Sequence, residues 1–489
     1  MEITDWIVAI GMVLVILVLL YMYGTWTFSY FSNLDITGPK PVPFFGNALE
    51  IWRKGLFEVS RDWQRQYGKI FGPIILTTDL DIVKEVFLKD FTNFTNRGNV
   101  SKRAKPYPME FSLAFAEDAD TWRRLRHTMT PTFSTDGSHI SRCCEGLSHF
   151  LQRLTEKGEL VDVKRVFVAY TIDVIAGTAF GMETDFLKNE NDAFLQAAMN
   201  MLRKASTFGF LEGFLMIFPF LLPVFSFFGG TSVSAGKDLA QIIENHLEDR
   251  RKNGANVKVD FLQLMLDAEA SKAEVAARPQ DKHMTKVEII AQGITILLAG
   301  YDTTAATLQY MVYLLALNPD KQEKLYKEII AAIGDAPPTY ENVMGIKYLD
   351  NTLRETLRCF PPAVLVARQA AETRTIKGVV IPAGSVIAVN IYGVMQDEDI
   401  FPEHHKFIPE RFDDENISTL LRELAFGAGP RQCIGMRLAL YEAKMAAVTI
   451  IRRFKFIKVP ETIETISFKK SSMVSSPIKP ILVGAELRQ

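Results

Sequence analysis

Ten residues near the C-terminus, FGAGPRQCIG from Phe426 to Gly435, constrain this chain more than any other stretch. Gly427, Gly429 and Gly435 surround a lone cysteine, as a loop requires when a bulky group must approach its backbone closely. The residues that follow, IGMRLALYEAKMAAVTIIRRF, read as helix. Cys433 therefore lies at a helix N-terminus, where free N–H groups and the helix dipole lower a thiol's pKa. An inert buried cysteine explains neither the glycines nor Arg431.

The opposite end of the chain carries a different signal. From Trp6 to Tyr23 run eighteen residues without a charge, spanning roughly 27 Å as helix, close to the apolar thickness of an endoplasmic reticulum bilayer. Trp6, Tyr21 and Tyr23 flank the run as interfacial aromatics do. A cleaved signal peptide fits less well, because Glu2 and Asp5 stand where a basic segment belongs. The division expected is a transmembrane anchor over residues 1–24, a linker over 25–43 stiffened by Pro39, Pro41 and Pro43, and a single globular domain over 44–489. Acidic residues before the span and Lys40, Arg53 and Lys54 after it favour a cytosolic body. The sequons at Asn93, Asn99 and Asn416 should then stay unglycosylated. Four cysteines in 489 residues agree with a reducing compartment. A formal charge of −2 with no basic stripe excludes nucleic acid as a partner.

Most of the globular part reads as helix. Thr285 and Glu288 form a capping box ahead of an apolar pattern that runs to Asn318-Pro319. That is roughly 32 residues, or about 48 Å, and Asp302 in its middle makes it a core helix, not a second span. The alternating stretch Val379 to Gly393 predicts a hairpin turning at Pro382-Ala383-Gly384, and SFKKSSMVSSPIKPILV offers another. Ala268 to His283 reads as a surface loop. The segment Phe208 to Gly230, with two prolines and paired phenylalanines, reads as an apolar flap dipping into lipid.

The loop at Cys433 matches F-G-x-G-x-R-x-C-x-G, and on that motif the chain resembles the cytochrome P450 family. Glu355 and Arg358 in RETLR match the family's E-x-x-R pair, and Arg411 in PERF matches its arginine partner. Trp122 and Arg126 in WRRLR, Arg368 in VLVARQ, and the segment Ala299-Gly300-Tyr301-Asp302-Thr303 match further family motifs. The runs AEDADTWRRLRHTMTPTFS, YLDNTLRETLRCFPP and PRQCIGMRLAL are similar to the microsomal drug-metabolising branch and its relative thromboxane synthase.

The resemblance implies a mainly α fold with a small β-rich lobe, holding haem b with Cys433 as the iron ligand. It implies that Phe426, Gly427 and Gly435 shape the thiolate loop, and that Trp122, Arg126, Arg368 and Arg431 meet the haem propionates. Glu355, Arg358 and Arg411 would form a buried structural network. Gly300 would leave room for O2, while Asp302 and Thr303 would pass it protons. By the same analogy Phe111, Ser112, Ala299, Val364 and Met473 line a pocket for an apolar substrate. Electrons would come from an NADPH–cytochrome P450 reductase, with cytochrome b5 a further partner, docking near Arg124, Arg437 and Lys444. The activity implied is monooxygenation. The alternatives are a peroxide isomerase or dehydratase of the same fold, and a non-catalytic haem sensor or carrier; the Asp302–Thr303 pair speaks against both.

Overall fold

The computed structural model describes residues 3–71, 74–98, 108–133, 137–189, 192, 196–200, 232–253, 260–277, 281–470 and 474–488. The segment Phe208 to Gly230, Asn99 and Met473 lie outside them. Ile3–Thr25 forms one helix, and its span Thr4–Thr25 is long and apolar enough to cross a membrane. The proline-containing connector doubles back after it. Val42 bridges Gly46, the Phe44 N–H donates to Gly24 O at 3.2 Å, and the Phe44 ring stands 3.1 Å from where a Cβ on Gly24 would lie.

A central helix, Lys286–Leu317, organises the body. Its capping box forms as the sequence predicts: the Glu288 N–H donates to Thr285 Oγ1, and the Thr285 N–H donates to Glu288 Oε2 at 2.8 Å. Pro319 begins the next helix and forces the break. The helix Val163–Phe180 packs along the central one, capped by Asp162 at its start and by left-handed Gly181 at its end. Gly300 belongs to this contact. A Cβ there would come 2.5 Å from Ile175 Cδ1, so its small size serves the approach of the two helices.

The strands are short. β1 (Ile70–Phe71), β2 (Ile75–Thr77), β7 (Val386–Asn390) and β4 (Leu365–Gln369) make one sheet in that order, and β3 (Val161–Asp162), β9 (Leu482–Leu487) and β8 (Phe454–Ile457) make another. β5 (Arg374–Ile376) and β6 (Val379–Ile381) form a hairpin whose turn, Lys377-Gly378, has positive φ at both residues, the geometry that matches strand twist. This corrects the hairpin expected at Pro382–Gly384. A turn is present there, with the Ser385 N–H donating to Pro382 O, but it passes the chain from β6 to β7 in a different sheet. Near the C-terminus Phe468 bridges Pro477, so the second expected hairpin has a paired base. The stretch Ala268 to His283 is more than a loop: Ser271 and Glu274 cap the helix Lys272–Ala277 reciprocally.

Candidate functional site

Gly427 and Gly429 adopt φ of 82° and 71°, which only glycine reaches without strain. A Cβ at Gly429 would strike the Phe87 carbonyl oxygen, so both conformation and space require glycine. The Cys433 N–H donates to Phe426 O at 2.9 Å, closing the loop on the short turn Leu424–Phe426. The helix Met436–Arg453 begins after Gly435, whose backbone N–H points at the sulfur. The expected lowering of the thiol's pKa is outweighed. Burial pushes Cys433 up, against the Gly435 N–H and the charges of Arg126 and Arg97. Its surface is nonetheless accessible.

Around that loop the chain gathers guanidinium groups. Arg126 donates to Gln432 O at 2.7 Å. Arg431 donates to Ala116 O and lies 4.9 Å over the Trp122 ring; Arg368 donates to Ala428 O and lies 4.4 Å over the Phe87 ring. A fourth, Arg97, donates to Ala114 O and Arg431 O. Arg97 stands alone in TNRGN, where no spacing signals a role, and sequence reasoning missed it. Arg97 Nε, Arg368 Nε and both Nε and Nη1 of Arg431 are buried without a hydrogen-bond partner. Burial, followed by the nearness of Arg97, pushes Arg431 down to about 9; burial, then Arg97 and Arg431, also holds Arg368 well below its usual range. An orphaned buried donor costs roughly 1–3 kcal/mol, so this cluster is built to meet an anion. The two propionate carboxylates of a haem would fit that donor set, with Cys433 in the same loop as the candidate iron ligand.

Behind the loop, charges are closed internally. Glu355 and Arg358 are fully buried and bidentate, at 2.8 and 2.9 Å. Arg411 Nε reaches Glu355 Oε1 at 3.3 Å, and the Ile408 N–H donates to the same oxygen. Arg358 also donates to the Met395 and Lys406 carbonyls.

On the central helix, Ala299 is exposed and Thr303 half-buried. The Thr303 hydroxyl donates to Ala299 O at 2.8 Å, leaving its lone pairs free to accept. Asp302 is pushed up by burial, opposed by Lys164 and Lys469. Of the expected pocket residues, Phe111 and Ala299 are exposed, whereas Ser112 and Val364 are buried. Gln292, fully buried, pins the Phe111 loop by accepting from the Leu113 N–H and donating to Phe111 O; its polarity inside an apolar helix is a readable signal.

Two expected docking residues are corrected. Arg124 is buried and bidentate to Glu288. Lys444 is 2% exposed and held by Asp350 at 2.9 Å. Both are basic residues of helices, and sequence spacing did not reveal that they face inward. Arg437 is exposed.

A glycine-cleared cysteine loop beside buried, uncompensated arginines defines a haem-thiolate protein, and the cytochrome P450 family profile matches residues 36–485. The chain belongs to that family: it is a haem-dependent monooxygenase. It is 36% identical to cytochrome P450 3A29 of Sus scrofa, over 96% of this chain and 94% of that protein. It is likewise 36% identical to cytochrome P450 3A5 of Homo sapiens, over 96% and 95%, and 35% identical to cytochrome P450 3A12 of Canis lupus familiaris over the same shares.

Proposed function

We propose that this chain is a membrane-anchored monooxygenase that oxidises apolar organic molecules, with Cys433 as iron ligand and residues 44–489 as one catalytic domain. The observation that carries the reading is the set of orphaned N–H groups on Arg97, Arg368 and Arg431 beside the Cys433 loop. Bound haem would supply one-electron chemistry and O2 cleavage, favoured by electron donation from the thiolate.

The protein's own groups orient and protect. Arg97, Arg126, Arg368 and Arg431 would hold the propionates, with Arg368 seated over the Phe87 ring and Arg431 over the Trp122 ring. Phe426 shields the sulfur from water. Asp302, whose carboxyl burial biases towards the protonated form, and the Thr303 hydroxyl relay protons towards the cleft. Phe111 and Ala299 contribute apolar surface to the substrate. Electrons arrive from an NADPH–cytochrome P450 reductase, with cytochrome b5 as a second donor, at a surface that includes Arg437. The anchor sits in the endoplasmic reticulum membrane with the body on the cytosolic side. Asn93 is buried and bonded to Glu372, so Asn416 is the more informative sequon: glycosidase-sensitive mobility would refute the topology. The activity is tested by reconstitution with reductase, NADPH and an apolar substrate panel. Thr303→Ala should consume NADPH with several-fold less product, and unchanged coupling would remove Thr303 from the relay.

A further inference from the structure

Along the flank of the helix Val163–Phe180 lies a cavity of 370 Å³, within the range of about 300–1,000 Å³ typical of small-molecule sites. Among the described residues that line it, none belongs to the Cys433 loop, the arginine cluster or the Ala299–Thr303 segment. Its walls are apolar, built from Val166, Ala169, Phe186, Leu187, Met199 and Pro477. Among the described residues its polar edge carries Lys164, Arg165, Lys469 and Lys479 beside the carboxylate of Asp162. That carboxylate is committed as a helix cap, accepting from the backbone N–H groups of Lys164 and Arg165 at 3.1 and 3.3 Å. The Lys164 amine is held in place by Ser476 Oγ at 3.1 Å.

Surface lysines are usually just solvated, so a second depression provides a control. The groove between Glu244 and Ile290 carries Glu244, Glu269 and Glu274 beside Lys272 and Lys286, and there Lys286 pairs with Glu244. Mixed, paired charge is what an ordinary surface shows. Among the described residues the apolar cavity instead sets Lys164, Lys469 and Lys479 along its edge with none of them in an ion pair, while its Asp162 is held by backbone N–H groups.

We propose that this cavity is a second ligand site, taking an amphipathic carboxylate. Its apolar chain would lie against Phe186, Leu187 and Met199, and its anionic end would meet Lys164, Lys469 and Lys479. Lys164 and Lys469 are also the cations that oppose the upward push of burial on Asp302. A bound anion that neutralises them leaves Asp302 more readily protonated. This coupling rests on the relay proposed for Asp302; the binding does not.

The test uses the full-length, detergent-solubilised haem protein with an imidazole inhibitor on the iron, so that the cleft at Cys433 is filled. Calorimetric titration with monomeric laurate should show one saturable site, with methyl laurate at least tenfold weaker. The double variant Lys469→Glu, Lys479→Glu should weaken laurate about tenfold or more, or about 1.4 kcal/mol. Both lysines are exposed, so its thermal unfolding should match wild type. Equal affinity for laurate and its ester, or wild-type affinity in the double variant, overturns the proposal. So does loss of laurate binding when the inhibitor is present, and so does binding to phosphatidylserine vesicles without binding of monomeric laurate.

Discussion

Two groups of buried arginines flank this protein's cysteine loop, and they treat their charge in opposite ways. Arg358 meets a carboxylate at two points and two backbone carbonyls besides. Arg431 and Arg368 meet carbonyls only in part, and leave N–H groups without a partner. The first arrangement is complete in the polypeptide, while the second leaves donors unmet, which is why we propose an anionic cofactor there. Burial alone therefore does not separate a structural arginine from a binding one; the tally of satisfied donors does.

The largest expected effect comes from opening the closed network. Glu355→Gln leaves Arg358 buried without its counter-charge, at a cost of about 3–5 kcal/mol; thermal unfolding should show a protein that barely folds or retains no haem. Native-like unfolding would place that network outside the fold's support.

Arg431→Leu should behave in the reverse sense. In apoprotein the substitution removes an uncompensated buried cation, so stability should hold or rise, while the haem-loaded form weakens by about 1–3 kcal/mol. Equal loss in both forms would erase the contrast. Unfolding with and without haem measures it.

A third buried group sharpens the comparison from the acidic side. Glu442 is 1% exposed, with Oε1 unpartnered, and burial raises its carboxyl well above the usual range. Tyr170, Cys143 and Cys144 stand near it and add no cation. Its folded pKa exceeds its unfolded value, so the folded state keeps a proton that the unfolded chain releases, and stability declines as pH rises above the unfolded value near 4.5. Glu442→Gln should therefore be stabilising relative to wild type by an amount that grows as pH rises above the unfolded value near 4.5. A constant difference in melting temperature would show that Glu442 is charged in the fold.

The smallest effect belongs to the surface. Arg437→Glu should slow reductase-driven reduction a few-fold, and the slowing should fade at high salt. Lys444→Glu should instead destabilise, because that amine is buried against Asp350. Stopped-flow reduction set against unfolding separates the two.

What the sequence disclosed follows from how locally each feature is encoded. The central helix could be bounded to the residue, because its capping box and terminating proline are neighbours of the ends they define. The meeting of Glu355, Arg358 and Arg411 was legible from two short motifs. Arg97 was not, since its importance arises only when β-sheet and loop contacts fold it against Arg431. Arg124 and Lys444 were misread because a basic residue on a helix gives no sign of which neighbour it faces. The β5–β6 hairpin was displaced for a related reason: Lys377-Gly378 and Pro382–Gly384 both look like turns, and strand partnership is a long-range choice. Gly300 shows the same limit, its small size answering to Ile175 across the helix pair.

The most direct test is the carbon monoxide difference spectrum of the dithionite-reduced protein, taken alongside Cys433→Ser. With Cys433 as the iron ligand, wild type should show the strongly red-shifted Soret band of thiolate-ligated haem and the variant should lose it. The same band surviving in Cys433→Ser, or a well-folded wild-type protein that takes up no haem, would contradict it.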